Sequence, residues 1–208
     1  ICFAQDNIGE FHGDFDLNMQ SYQEDELIGA KAADEIILNN AYLNINYTKG
    51  DFSAGLRYES YLNALLDFDD EYKGNGIMFR YATYTIDGLE VTAGNYYEQI
   101  GSGLIFRSYE NKGLGQDNAM DGVRLKYRPL KGVYLKGFIG KSRTYFTYSD
   151  GIIRGADAEI NVNEALNFES KTKVILGQGF VSRFQPDINP KFKLPQNVSA
   201  YSTRLNII

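Results

Sequence analysis

The side chains best placed to do chemistry in this 208-residue chain are Arg57, Glu59, Arg80, Glu90, Glu98, Arg124, Lys126, Arg128 and Lys136. Most sit in stretches where polar and apolar residues alternate, and alternation sends successive side chains to opposite faces of a strand. All nine are therefore expected on the polar face. Mixed charge lining an interior can set a transverse field that selects a passing solute. The same charges can instead lock into a salt-bridged network that braces a narrow interior, and the brace is the favoured of the two.

Other chemistries find less support. His12 is the only histidine, so a histidine-based metal site or a Ser-His-Asp triad would have to use it. Asp14 and Asp16 flank it at alternate positions, but no second nitrogen ligand exists, and a solvated polar residue is the expected role. Asp67, Asp69, Asp70 and Glu71 have the spaced carboxylates of a calcium loop but lack its glycine and distal glutamate, which points to a surface loop. Gly101-Ser102-Gly103 and Gly113-Leu114-Gly115 lead into no strand-to-helix crossover, so they read as loop glycines. No carboxylate dyad or nucleophile elbow stands out. The expectation is a non-enzyme with no catalytic residue, metal or cofactor.

The elements that must hold these charges are strands. In Asp121 to Lys141, Val123, Leu125 and Tyr127 share one face while Arg124, Lys126 and Arg128 share the other. After a connector at Pro129-Leu130-Lys131-Gly132 the pattern resumes, with Val133, Leu135, Gly137 and Ile139 against Tyr134, Lys136 and Phe138. Pro presets φ and Gly accepts positive φ, so a tight turn is expected there. Similar alternation predicts strands from Gly9 to Ser21, Ile36 to Thr48, from Phe52 through Glu59, Gly76 to Ile86, from Leu89 through Tyr96, Gly151 to Asn163, Thr172 to Phe184 and Asn197 to Ile208. In Gly76 to Ile86 the oily face is expected to carry Ile77, Phe79 and Tyr81 opposite Arg80.

About ten strands result, with short turns near 49–51, 87–88 and 129–132. Long links fall near 22–35, where 30–33 has a helical look, and at 65–75 and 101–120. A proline-marked loop, holding Pro186, Pro190 and Pro195, spans 185–196. Stretches of about a dozen alternating residues are long for soluble strands but suit tilted membrane-crossing ones. Long and short connectors alternate as they do in outer-membrane barrels. The expected fold is thus all-β, an antiparallel transmembrane β-barrel with these strands as part of a larger barrel. Tyr47, Tyr58, Tyr81 and Tyr127 fit an interfacial aromatic girdle.

Composition narrows the function classes. With 21 basic and 27 acidic residues the net charge is −6, which disfavours general nucleic-acid binding. One cysteine, Cys2, excludes an internal disulfide framework. Ile1-Cys2-Phe3-Ala4-Gln5 reads as the end of a secretory leader cleaved after Ala4, leaving 5–208 as the barrel portion.

The wording NYYEQIGSGLIFRSYENKGLGQDNAMDGVRLKYRPLKGVYLKGFIGKSR, from Tyr96 to Arg143 with its preceding Asn95, and GIIRGADAEINVNEAL further on, resembles the N-terminal part of an uncharacterised outer-membrane β-barrel family of the Bacteroidota. The resemblance implies a Gram-negative outer-membrane protein made with a leader, whose relatives are longer, and it implies no particular site residue. The expected function is a pore, transport or surface-assembly component with outer-membrane lipid around it and a small solute or protein as partner. A plugged barrel that holds a protein through its long loops, and a secreted soluble β-sandwich that binds glycans through tyrosines, are the alternatives.

Overall fold

The computed structural model describes residues 8–66, 68–186 and 194–208. Ten strands form one antiparallel sheet in which neighbours in sequence are neighbours in space. They are β1 (Glu10–Gln20), β2 (Leu38–Lys49), β3 (Phe52–Tyr61), β4 (Gly74–Ile86), β5 (Leu89–Tyr96), β8 (Met120–Leu130), β9 (Val133–Thr144), β10 (Thr147–Asn161), β11 (Val174–Phe184) and β12 (Asn197–Ile207). Between β5 and β8 a separate two-residue pair intervenes, β6 (Glu110–Asn111) and β7 (Gln116–Asp117). Among the described residues β1 and β12 are the edges, and they do not pair with each other.

Register follows the alternation. Phe15 faces Leu43, Val123 faces Ile139, and Leu176 faces Leu205, so one face is oily from edge to edge. Asp14 faces Asn44 and Lys126 faces Lys136 on the other face. A one-residue slip anywhere would exchange the faces, which is why the pattern fixes the register so firmly.

Several short turns behave as their residues dictate. Asp87 and Gly88 take φ of 44° and 78°, the mirror-image turn whose twist suits a two-residue hairpin. The connector after β8 is shorter than expected: Leu130 already pairs with Val133, leaving only Lys131 and Gly132 in the turn. The ladder shifts between Tyr127 and Leu130, where Pro129, which cannot donate to a ladder, is accommodated. No helical turn forms at 30–33; instead Asp25 and Ala30 close a turn with an isolated bridge. The strand expected from Gly151 begins at Thr147 and ends at Asn161, whose side chain caps a single helical turn, Val162–Ala165. Pro190, Asp67 and the Ile1 to Ala4 leader lie outside the described residues.

Links of unequal length gather at the two ends of the sheet. One end carries the turns at 50–51, 87–88 and 131–132, together with the 162–173 link. The opposite end carries 21–37, 62–73 and 97–119, together with the tight turn at Tyr145-Phe146.

The sheet is curved toward its polar face. Arg143 on β9 and Glu59 on β3 are four strand spacings apart, about 19 Å on a flat sheet at roughly 4.8 Å each. Their side chains nevertheless meet at 2.6 Å. The buried core lies inside that curve. One cluster joins Tyr96, Ile100, Met120, Phe138 and Val181, and a second joins Tyr42, Tyr61 and Tyr72. Ile100 reaches its place because β10 and β11 present Gly155 and Gly179 there; a Cβ on Gly179 would come within 2.4 Å of Ile100.

Candidate functional site

The charged residues of the concave face form two groups, one at the end that carries the long links and one at the short-turn end. In the first, β3 presents Arg57, Glu59 and Tyr61 at alternate positions. The Arg57 guanidinium donates to Glu59 Oε1 at 2.7 Å and to Asp117 Oδ2 at 2.6 Å, and its Nη1 lies 2.8 Å from Glu110 Oε1. Arg143 donates to Glu59 Oε1 at 2.8 Å and Oε2 at 2.6 Å, and to Asp117 Oδ2 at 2.7 Å. Tyr61 donates to Glu59 and Tyr97 to Asp117, at 3.2 and 3.0 Å. The side chains of Arg143 and Glu59 are 0% and 1% exposed, so this network is dry.

Glu110 joins it from the connecting segment. Burial pushes its carboxyl above the ordinary carboxylate value, against the pull of Arg57, and neighbouring Asp117 adds to the rise. Three carboxylates thus surround two guanidinium groups.

The second group is a row set by register. Glu90 pairs with Lys126, Lys126 with Lys136, and Lys136 with Asp157, giving a line of charges, minus, plus, plus, minus, over β5, β8, β9 and β10. Like charges directly opposite are unfavourable, so the lysines need outside partners. Lys126 lies 3.4 Å from Glu90, while Lys136 donates to Glu98 Oε1 at 2.8 Å and to the Gln99 carbonyl at 2.7 Å. Arg124 donates to Glu90 at 2.8 Å, and Arg204 on β12 donates to Asp157 at 2.8 Å. A cavity of about 430 Å³ opens beside this row, toward the short turns.

The segment 97–119 separates the two groups. It folds inward, with Ile100 on β10 and β11, and Gly101 against the Arg204 side chain of β12. Further along it, Lys112 extends to Asp16 on β1, at 3.4 Å, and over the Tyr42 ring. It therefore spans the concave face from one edge strand to the other. Glu98 Oε2 and Arg124 Nε, where segment and strands meet, are buried without a hydrogen-bond partner.

A family model described as a family of unknown function, DUF6029, matches residues 2–208. The chain belongs to that family. No curated protein and no solved structure matches it. DUF6029 membership brings no residue roles with it, so those rest on the geometry.

Seven of the nine charged residues expected on the polar face are found there. Arg57 and Glu59 enter the dry network; Glu90, Glu98, Arg124, Lys126 and Lys136 form the row and its partners. Glu98 does so from the inward-folded segment, since β5 ends at Tyr96. Arg128 lies just beyond, exposed at the rim of the cavity, with its guanidinium carbon 4.8 Å from the Tyr134 ring. Arg80 departs from expectation. The ladder shifts between the pairs Arg57–Phe79 and Tyr58–Ile77, and Arg80 then pairs with Leu56 of the oily face. Its half-exposed side chain lies 3.3 Å from Asp121 and donates to Tyr148. The same shift turns Phe79 under Arg57 and lets Tyr81 donate to Asn46, so Tyr81 leaves the expected girdle.

Glu110, Asp117, Arg143, Asp157 and Arg204 were not among the expected residues. Asp157 and Arg204 fall on the polar phase of their strands and were readable in that way. Glu110 and Asp117 lie in an aperiodic link. Arg143 shares its phase with Ile139 and Lys141, and alternation alone would send it to the oily face. His12 is exposed, 3.4 Å from Glu10. Asp69 accepts hydrogen bonds from the Glu71 N–H and the Tyr145 hydroxyl. Among the described residues no group of three or more His, Cys, Asp or Glu is placed to hold a metal ion.

Proposed function

We propose that this DUF6029 chain forms the wall of an outer-membrane β-barrel of a Gram-negative bacterium of the Bacteroidota, a non-enzymatic pore or transport component narrowed by its 97–119 segment. One observation carries the reading. Large apolar side chains stand exposed on the oily face from Phe11, Phe15 and Leu17 on β1 to Tyr201, Leu205 and Ile207 on β12. Meanwhile the charges are gathered and paired on the concave side. Soluble monomers rarely expose contiguous apolar patches larger than a few hundred Å². Lipid is the solvent that suits such a face, and a polar lumen suits the other.

Nine of the ten strands have 10 to 15 residues, enough to cross a tilted path through the bilayer, and only β5, with 8, is shorter. Among the described residues no helix is long and apolar enough to cross a membrane. Lipid also requires that the free edges of β1 and β12 be paired, by further strands in a larger barrel.

The test is membrane fractionation with heat-modifiable gel migration of the full-length protein, then planar-bilayer recording. The expected result is an outer-membrane protein whose ion selectivity changes when Arg124, Lys126 and Arg128 are neutralised. A detergent-free monomer in the periplasm would sink the barrel reading and favour a soluble sandwich. A barrel without conductance that copurifies with a stoichiometric protein would favour the second reading, a plugged structural barrel. The inward-folded segment is the observation on the side of that alternative.

A further inference from the structure

The cavity at the short-turn end has a charge balance that the dry network lacks. Its carboxylates are largely committed: Glu90 to Arg124 at 2.8 Å, and Asp157, with a side chain only 8% exposed, to Arg204 at 2.8 Å. Its cations are freer. Lys126 is 44% exposed and touches Glu90 only at 3.4 Å. Arg128 has no carboxylate within ion-pair distance among the described residues; its guanidinium lies over the Tyr134 ring instead. A guanidinium beside an aromatic ring rather than a carboxylate keeps its N–H fork available, and that fork matches a carboxylate or phosphate with two parallel hydrogen bonds. Lys126 extends the same positive wall, while Lys136, opposite it in register, is already held by Glu98 at 2.8 Å.

We propose that this cavity binds the oxyanion group of a small organic solute, with Arg128 as the fork, Lys126 as the second cation and the solute's uncharged body near Tyr134. This rests on the pore or transport reading and specifies the charge class of its solute. A volume of about 430 Å³ admits a sugar-sized molecule. Glu159, 39% exposed and opposite Tyr134 in the β9–β10 register, is drawn toward Arg204 at 3.8 Å.

Three sugars of similar size and different charge test it: glucuronate, glucose and glucosamine, titrated by calorimetry and saturation-transfer NMR into the full-length protein in detergent. Glucuronate is expected to bind at least about tenfold more tightly than glucosamine, and less tightly as salt rises. Arg128→Gln is expected to cost about tenfold, the loss of a charge-assisted pair, while Arg128→Lys keeps part of the affinity. Lys131→Gln, in the adjacent turn, should change nothing.

Equal or tighter binding of glucosamine, no binding of any of the three, or glucuronate binding indifferent to Arg128→Gln each overturns the proposal. Conductance is scored separately. A conducting barrel with no glucuronate preference loses the site and keeps the pore, whereas a silent barrel that binds glucuronate keeps the site and loses the pore.

Discussion

The two charged groups of the concave face are built from the same residue types and do opposite things. Around Arg57, Glu59, Arg143 and Asp117 every charge is buried and held by short contacts, and the partners come from β3, β9 and the inward-folded segment. Around Lys126 and Arg128 the cations are half-exposed or exposed, and one has only an aromatic ring for company. Burial is what divides them. A charge taken out of water must be paired at once or it costs several kcal/mol, so the first group has no capacity left for a ligand. Charges that stay wet keep theirs.

The sharpest way to break that contrast is to remove one partner from each group. Glu59→Gln leaves Arg143 and Arg57 buried with diminished compensation, and a loss of about 3 to 5 kcal/mol is expected for a broken buried pair. Lys126→Gln removes a largely solvated charge and should cost less than about 1 kcal/mol. Urea unfolding followed by heat-modifiable migration measures both. Equal costs would mean that the two groups are not physically distinct.

The inward-folded segment is the wall between them, and its seat can be attacked directly. Gly179→Ala places a Cβ where Ile100 already stands, 2.4 Å from its Cγ2. Overpacking of this kind costs roughly 1 to 3 kcal/mol. Shortening the intruding side chain in Gly179→Ala/Ile100→Ala should restore part of that loss, because neighbours in contact are coupled. The readouts are unfolding midpoints and protease cleavage within 101–116. If the double variant is destabilised by the full sum of the singles, Ile100 is not what Gly179 accommodates.

Much of this fold was legible because one period governs it. Ten strands, their order and their oily face follow from alternation at two residues, and Phe15, Leu125 and Leu205 could be placed without coordinates. Alternation fails where the ladder does. The shift beside Phe79 moved Arg80 to another neighbourhood, and nothing in Phe79-Arg80-Tyr81 marks a skipped pairing in advance.

The dry network was half visible for a related reason. Arg57 and Glu59 belong to a strand, but Glu110 and Asp117 arrive on a link that has no period to read. Arg143 is brought in by the β9–β10 tip, where Phe146 packs against Tyr61 and Tyr145 against Tyr72. Those are contacts between distant parts of the chain, and sequence spacing carries no trace of them. The lower row was more accessible, since Glu90, Lys126 and Lys136 need only strand phase and register.

Glu110 gives the smallest expected effect and the finest test of the comparison, because it is the most exposed carboxylate of the dry network, at 22%, against 1% for Glu59 and 7% for Asp117. Its folded pKa is raised above the ordinary 4.5, so folding favours the protonated form. The resulting stabilisation is full below the unfolded value and is lost as pH rises through the folded one. Between about pH 4.5 and neutrality, the wild-type protein should therefore lose stability relative to Glu110→Gln, whose side chain cannot ionise. Urea midpoints of the two proteins across that range give the sign. If wild type instead gains on the variant as pH rises, the Arg57 pair outweighs burial, and Glu110 is held as a carboxylate like Glu59. The network would then be electrically closed on every side, and the division between its dry charges and the wet charges near the short turns would be wider still.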